Sequence, residues 1–538
     1  MREIIRKYVI RNALQYGRAD EKSVMGKVMA EVPEARSRVQ EVMELIKEEI
    51  KAIEGMGKEE MEKEIEGKEF IKAKEPDPFA VEGAEQGKVI TRFPPEPNGY
   101  LHIGHCKALV INRIVADKYK GRMIIRIDDT NPAKESKEYL DAIVENIKWL
   151  GIKWDSFSFT TDYMNEIYEA CRKLIQDGNA YVCTCAPEEV KKGRAEKKGC
   201  DHRNKRASQN LEEYEKLKIN ENGIVRLKGD MESENTVMRD PTLMRVVGAS
   251  HFRHGRKYKL WPTYDLASAL VDSIEGVTHA MRSKEYELRE ELYFTILRML
   301  KMREPKLIHF SRLNMRGMPV SKRLIKPLVE QGKVSGWDDP RLPTLAALKR
   351  RGITPEALKS FASRFGLGKA ENEADIEMLL SENKKVVDKT SPRFVAIENP
   401  KELEVGLSKT VQLKKHPTED MGVRELCVNG RVLVEKAGEE MVLRNLGRFR
   451  ISGKRAERIG EGEKGELWLP PEQAVEGELW EIGLLYEGDK FNEKSLVKKK
   501  AMIEAEVANQ EKGKIIQLER KGFYIIDSLE PLVLIRSC

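Results

Sequence analysis

Arg92-Phe93-Pro94-Pro95-Glu96-Pro97-Asn98-Gly99-Tyr100-Leu101-His102-Ile103-Gly104-His105 is the stretch on which the fold turns. A short strand, Lys88–Phe93, runs into three prolines and a glycine, which end regular pairing and force a sharp turn. Helix-forming sequence follows over Lys107–Lys120. Such a strand-to-helix turn leaves the first helical N–H groups without partners, which makes an anion site. Two histidines flanking Gly104 add donors for phosphate oxygens, and the glycine lets a flat base approach the backbone. The stretch reads as a site for a nucleoside triphosphate.

Outward from the turn the texture is α/β. Strand Met123–Ile127 and helix Glu138–Leu150 continue the alternation of a parallel-sheet unit. Residues 181–260 read as an irregular, basic insertion, and the sheet pattern resumes at Trp261-Pro262-Thr263-Tyr264-Asp265. A helical zone follows Glu290, through Leu345–Arg350 and Pro355–Phe361. At the other end, residues 1–80 read as helical from the spacing of Ile4, Ile5, Tyr8, Val9 and Ala13, and of Val42, Leu45, Ile46 and Ile50. Pro76, Asp77 and Pro78 read as a linker. Beyond Phe394, Asn429-Gly430 reads as a two-residue turn between strands Val423–Val428 and Arg431–Val434. Lys514–Glu519 and Phe523–Asp527 repeat that pattern, so an all-β tail of one or two barrels is expected.

The 538 residues suffice for about three to five domains. No apolar run nears the roughly 20 residues of a membrane span, and Met1–Gln15 is amphipathic rather than leader-like. A net charge of +7 permits RNA binding without demanding it. Cys106, Cys171, Cys183, Cys185, Cys200, Cys427 and Cys538 form no disulfide framework, so a reducing cytoplasm is expected.

Residues 102–105 spell H-I-G-H inside Thr91–His105, and this long form resembles the glutamyl and glutaminyl branch of the class I aminoacyl-tRNA synthetases. A second signature, Ser311-Arg312-Leu313-Asn314 with Val320-Ser321-Lys322-Arg323, resembles that class's mobile K-M-S-K-S loop in its Met-Ser-Lys-Arg variant. Val320 replaces the usual Met or Leu. A mobile ammonium at Lys322 would follow charge onto the departing pyrophosphate. The resemblance implies ATP with Mg²⁺, catalytic roles for His102, His105 and Lys322, and ATP contacts from these with Gly104, Ser321 and Arg323.

It also implies an amino-acid pocket. Arg126-Ile127-Asp128-Asp129-Thr130-Asn131-Pro132 is similar to a family segment in which Asp128 would receive the substrate's α-ammonium, though two aspartates after a strand also suit a helix cap. Tyr264 stands where the branch contacts the substrate side chain, and Arg92 would point into the same pocket. Arg282, in Gly276–Tyr286, decides the substrate: glutamyl enzymes resemble this form, whereas glutaminyl enzymes carry a small uncharged residue there. A guanidinium pairs bidentately with a γ-carboxylate, and a neutral amide would leave that charge unsatisfied. The expected reaction joins L-glutamate to tRNA(Glu) through glutamyl adenylate, once tRNA is bound, with tRNA(Gln) as a further acceptor left open. The alternatives are a glutaminyl-tRNA synthetase and a catalytically silent tRNA-binding paralogue.

Cys183-Thr184-Cys185 and Cys200-Asp201-His202 offer a Cys₃His set for structural Zn²⁺, similar to a site in many glutamyl enzymes; two reduced pairs in a loop is the other reading. Basic residues from Lys191 to Arg206 would meet RNA phosphates, and Gly336-Trp337-Asp338-Asp339-Pro340-Arg341 matches a segment that contacts the inner tRNA stem in this branch. The implied organisation is a helical extension (1–80), a Rossmann-type catalytic domain (86–180 and 261–300) and an inserted acceptor-end domain (181–260). A helical stem-contact domain (301–393) and a β-barrel anticodon-binding region (394–538) follow. Extension and tail together resemble the archaeal and eukaryotic type of glutamyl-tRNA synthetase.

Overall fold

The computed structural model describes residues 1–68, 77–219 and 222–538, so of the linker expected at Pro76, Asp77 and Pro78 only Pro76 lies outside the described residues. Two compact units result, Met1–Asp77 and Pro78–Cys538. In the first, helices Arg2–Tyr16, Glu21–Glu31, Val39–Ala52 and Lys58–Ile65 enclose Ile5, Val9, Val24, Val28, Val42 and Ile46. Asp20 caps the second of them by accepting from the Ser23 N–H. Lys7, drawn into this unit, is paired with Glu31 at 2.8 Å.

The second unit is built on a parallel sheet. Strands β1 (Ile90–Phe93), β2 (Arg122–Ile127) and β3 (Ser156–Phe159) pair in sequence, linked by helices α1 (Ile103–Lys118) and α2 (Lys137–Trp149). After the insertion come α3 (Tyr264–Ile274), β4 (His279–Ser283), α4 (Glu290–Leu300) and β5 (Lys306–Phe310), with β4 and β5 parallel. Thr278 joins the two halves: its N–H donates to the Ile90 carbonyl at 2.9 Å and its Oγ1 accepts from the Ile90 N–H at 2.8 Å. The order is therefore β3-β2-β1-β4-β5, with its switch point between β1 and β4, where sheets of this kind bind ligands. The sheet runs past residue 300 because β5 is too short to register against the helical periodicity before it. Leu109, Val110, Ile125, Ile127, Leu348 and Phe361 share one buried core. At about 1.5–3 kcal/mol for each buried side chain, this layer fixes the start of α1 against the sheet.

The segment read as irregular is an ordered antiparallel sheet of Ala180–Cys183, Ile224–Leu227, Thr242–Val246 and Leu260–Pro262. Its strands are short and its charged connections long, which hides the alternation. The tail holds a six-stranded and a seven-stranded sheet over separate cores, one around Val432, Leu443 and Phe449, the other around Leu479, Ile503 and Leu534. The α/β multidomain class with a β-barrel-like tail is as expected. The Asn429-Gly430 turn is not: Val423–Val434 is one strand, paired along its length with Lys401–Lys414. Glu404 faces Arg431 and Ser408 faces Asn429, so two extra residues bulge from the facing strand; Gly406 (φ 60°) and Gly430 (φ 76°) absorb the distortion. The second expected hairpin is present, Ile515–Leu518 with Gly522–Leu529. No described helix is long and apolar enough to cross a membrane.

Candidate active site

Helix α1 begins four residues earlier than the sequence pattern indicates, because His102 caps it. The His102 Nδ1 accepts from the Gly104 N–H at 3.1 Å, and the His102 N–H donates to His105 Nδ1 at 3.2 Å. A Cβ on Gly104 would lie 2.9 Å from His102 Cε1, so this ring position requires glycine. The Ile103 N–H is spent on the Pro343 carbonyl. The N–H groups of Ile103 and Gly104, expected to face an anion, are thus already occupied, and the donor role passes to the imidazoles. With Nδ1 accepting, each neutral ring carries its proton on Nε2. Burial, reinforced by His105 and Arg312, holds His102 well below the usual histidine range; burial and Arg312 bring His105 down to about 4. Both rings are neutral donors near pH 7.

Ser321 and Lys322 stand at the start of helix Lys322–Glu330, behind the buried Val320. The Lys322 stem packs so closely on Gly99 that a Cβ there would fall 3.1 Å from Lys322 Cδ. Its Nζ lies 4.8 Å above the Tyr139 ring, and partial burial lowers its affinity for a proton. One cavity of about 450 Å³ is lined by Arg92, His102, Gly104, His105, Asp128, Tyr264, Arg282, Ser321 and Lys322. Every expected nucleotide and amino-acid residue is there except Arg323, which is exposed and does not line it. Trp337 stacks on Tyr100 of the turn, with ring centroids 5.5 Å apart.

Beneath the cavity Asp272, wholly buried on α3, organises three arginines. Its Oδ1 accepts from Arg92 Nε at 3.0 Å and from Arg126 Nη2 at 2.7 Å; its Oδ2 accepts from the Tyr293 hydroxyl at 3.0 Å and lies 3.5 Å from Arg282 Nη2. Arg126 also holds Glu275 at 2.7 Å. Despite burial, the three guanidinium groups keep Asp272 far below the usual carboxylate range. Arg282 donates to Ser268 Oγ at 3.1 Å and lies 4.2 Å over the Tyr293 ring, while its buried Nε has no partner. Among the direct ion pairs three cations share two anions, and Asp128 is a further carboxylate of the same cavity, near Arg126.

The consecutive aspartates diverge. Asp128 lines the cavity, and burial, opposed by Arg126 and helped by Glu96, pushes it up to about 6. Asp129 turns to the Thr161 N–H and hydroxyl at 2.9 and 2.6 Å. Neither caps α2, whose cap is Ser136. A second cavity, about 440 Å³, shares Glu96, Asp128, Tyr264 and Tyr286 with the first and adds Arg194, Arg245 and Arg289.

In the insertion, Cys183 Sγ and Cys200 Sγ lie 3.8 Å apart, and Cys185 Sγ lies 3.4 Å from His202 Nδ1. The two sulfurs are not bonded to each other, and a tetrahedral ion with ~2.3 Å bonds spaces two sulfurs about 3.8 Å apart. The four ligand atoms are mutually within 4.8 Å, and His202 Nε2 is engaged by the Thr184 hydroxyl at 3.0 Å, an outer contact typical of a ligating histidine. The donor set fits zinc.

Sequence reading missed Asp272 and Ser268. Their only signal is a charge and a hydroxyl, four residues apart on one face of the apolar run Leu266–Ile274.

Two buried histidines at the first strand–helix turn of a doubly wound sheet, beside a loop ammonium and a buried charged pocket, have the form of the catalytic domain of a class I aminoacyl-tRNA synthetase. Residues 88–390 match the family described as tRNA synthetases class I (E and Q), catalytic domain, and residues 467–527 match the anti-codon binding domain of the same family. The chain belongs to this glutamate and glutamine family. It is 40% identical to the glutamate--tRNA ligase of Nitrosopumilus maritimus (strain SCM1), over 97% of each chain, and 39% identical to that of Cenarchaeum symbiosum (strain A), over 96% of each. A glutamine--tRNA ligase of Clostridium kluyveri is also 40% identical, but over 66% of this chain and 67% of its own. Degree of identity therefore does not separate the two amino acids; coverage does, at 97% and 96% of this chain against 66%.

Proposed function

We propose that the chain joins L-glutamate to the 3′ end of tRNA(Glu), with ATP as energy source and glutamyl adenylate as intermediate. The observation that carries the choice of amino acid is the under-paired guanidinium: Arg282 lines the cavity with Nε unpartnered and shares Asp272 with Arg92 and Arg126, so a negative charge is short among these direct ion pairs. A γ-carboxylate supplies that charge and a glutamine amide does not. Asp128 takes the α-ammonium, Tyr264 walls the side chain, and Arg92 sets the field while tied to Asp272.

In the first step a carboxylate oxygen of glutamate attacks the α-phosphorus of ATP, the bond to the bridging oxygen breaks, and pyrophosphate leaves. The Nε2–H groups of His102 and His105 and the Lys322 ammonium stabilise the charge that develops. Mg²⁺ carried on the triphosphate supplies further charge neutralisation. In the second step the terminal ribose 2′-hydroxyl attacks the acyl carbon, AMP leaves and the hydroxyl proton is released. No covalent enzyme intermediate is needed, so positioning and electrostatics carry the chemistry. In the second cavity Arg194 and Arg245, beside Glu96, Asp128 and the paired Asp265 and Arg289, are the residues that would meet phosphates of the tRNA acceptor end. Cys183, Cys185, Cys200 and His202 would hold a structural Zn²⁺ that closes the inserted loop, and their reduced state suits the cytoplasm.

Charging of purified glutamate and glutamine tRNAs with radiolabelled glutamate or glutamine tests this. Glutamate on tRNA(Glu) with no glutamine on either tRNA is expected; the second tRNA tells whether tRNA(Gln) is also an acceptor. Glutamine attachment would overturn the pocket, and absence of glutamate-dependent pyrophosphate exchange with tRNA would leave a silent RNA-binding protein.

A further inference from the structure

Lys107 lies on α1 two residues after His105 and is only 1% exposed. Lysines so deeply buried ordinarily pair with a carboxylate. Here burial alone acts on the ammonium, with no charged neighbour opposing it, and brings its pKa down to about 8, so it is charged near pH 7. Ser311 takes the carboxylate's place: Lys107 Nζ donates to its carbonyl at 2.6 Å and to its Oγ at 3.1 Å. The rings of Phe310 and Phe365 stand 5.4 and 5.6 Å from Nζ, within cation–π range. Ser311 is itself wholly buried, and its N–H donates to the Gly368 carbonyl at 2.9 Å.

The segment gripped in this way is a wall of the nucleotide cavity. Phe310 and Arg312 line the cavity of about 450 Å³, while Ser311 between them turns the other way, as alternation along an extended chain requires. The adjoining wall is α1, through His105, Ala108 and Asn112, and Lys107 reaches Ser311 from behind it. Arg312 stands close enough to His102 and His105 for its charge to help lower both imidazoles. The Ser311 carbonyl and the Arg312 N–H belong to one planar peptide, so a charge-assisted bond to that carbonyl orients the backbone that carries Arg312. Burying an ammonium against neutral partners costs folding free energy, and what it secures is a fixed wall.

We propose that Lys107 is a positioning residue for ATP: by holding the Ser311 carbonyl from behind, it fixes the Phe310–Arg312 wall of the cavity against the wall that carries His102 and His105. This rests on the assignment of the His102 and His105 end of the cavity to the nucleotide. Lys107 acts through the backbone and does not line the cavity.

The test is the Kd for labelled ATP by equilibrium dialysis of the full chain, with the glutamate KM in tRNA-dependent pyrophosphate exchange and the thermal midpoint of each variant. Lys107→Met, close in length but without a donor, is expected to weaken ATP binding about tenfold and leave the glutamate KM within about twofold, as loss of one charge-assisted hydrogen bond would. Lys107→Arg keeps a donor for the carbonyl and should bind ATP within about threefold of the parent. Ser311→Ala removes the longer of the two bonds and should weaken ATP binding about threefold, with no further effect in the Lys107→Met background. Unchanged ATP binding in Lys107→Met, an equal loss for ATP and glutamate, no recovery with Arg, or additive effects of the two substitutions would each overturn the proposal. Should Lys107→Met not fold, Ser311→Ala decides: weaker ATP binding with an unmoved glutamate KM upholds the proposal, and unmoved ATP binding overturns it. His105→Asn separates the two levels: a large fall in exchange upholds the nucleotide assignment whatever Lys107 does, and an unmoved rate overturns both.

Discussion

Arg282 Nη2 reaches Asp272 Oδ2 only at 3.5 Å, while Arg126 Nη2 holds Oδ1 of the same carboxylate at 2.7 Å. Asp272 is therefore the common counter-ion of the pocket floor. Asp272→Asn would leave three buried guanidinium groups with Glu275 as the remaining anion among these partners, a loss of about 3–5 kcal/mol for breaking a buried charge network. The thermal midpoint is expected to fall by several degrees. The folded pKa of Asp272 is depressed, so its stabilisation is present above the unfolded carboxylate value near 4 and lost as pH falls below it. The gap between variant and parent should then stay constant from pH 8 to pH 5.

Arg282→Gln should behave in the opposite way. Removing this guanidinium leaves Arg92 and Arg126 balanced by Asp272 and Glu275, so the thermal midpoint should move little. The substrate's γ-carboxylate would lose its partner, and kcat/KM for glutamate should fall by about 100-fold or more. Comparing glutamate- and glutamine-dependent exchange in the two variants separates stability from recognition. Equal loss of both properties in Arg282→Gln would refute the charge count.

What was legible in the sequence is what chemistry confines to a short span. His102, Gly104 and His105 cap one another within four residues, so the motif and its geometry coincide. Asp272 was illegible because its partners Arg92 and Arg126 are 180 and 146 residues away, and α3 shows only one acid in an apolar run. Asn429-Gly430 misled for the converse reason. A locally strong turn signal yields to a strand paired over its whole length, where the same glycine serves a bulge. Arg323 shares a signature with Lys322 yet faces solvent, since successive residues at a helix start point in different directions.

Metal content offers a third prediction. The Cys183–Cys200 and Cys185–His202 spacings fit a filled tetrahedral site, so the purified chain should carry close to one zinc per molecule. Cys185→Ser or prolonged chelation should remove it and raise the KM for tRNA, while the KM for ATP stays unchanged, because the cluster lies in the insertion and not in the nucleotide cavity. Elemental analysis of the parent chain showing no zinc would return the cluster to a set of reduced thiols.

The last prediction concerns protons. Asp128 must be ionised to receive an ammonium, yet burial pushes its pKa up to about 6. As pH falls through that value the free chain increasingly carries a neutral Asp128, so kcat/KM for glutamate should drop, approaching about tenfold per unit below pH 6. His102 and His105 are already neutral there and stay so across the same interval, which leaves the two donors proposed for ATP unchanged. The KM for ATP should accordingly remain flat from pH 8 to pH 5.5 while glutamate binding weakens. Asp128→Asn, low at every pH, should abolish the inflection; an inflection that survives the substitution would place the titrating group elsewhere in the cavity.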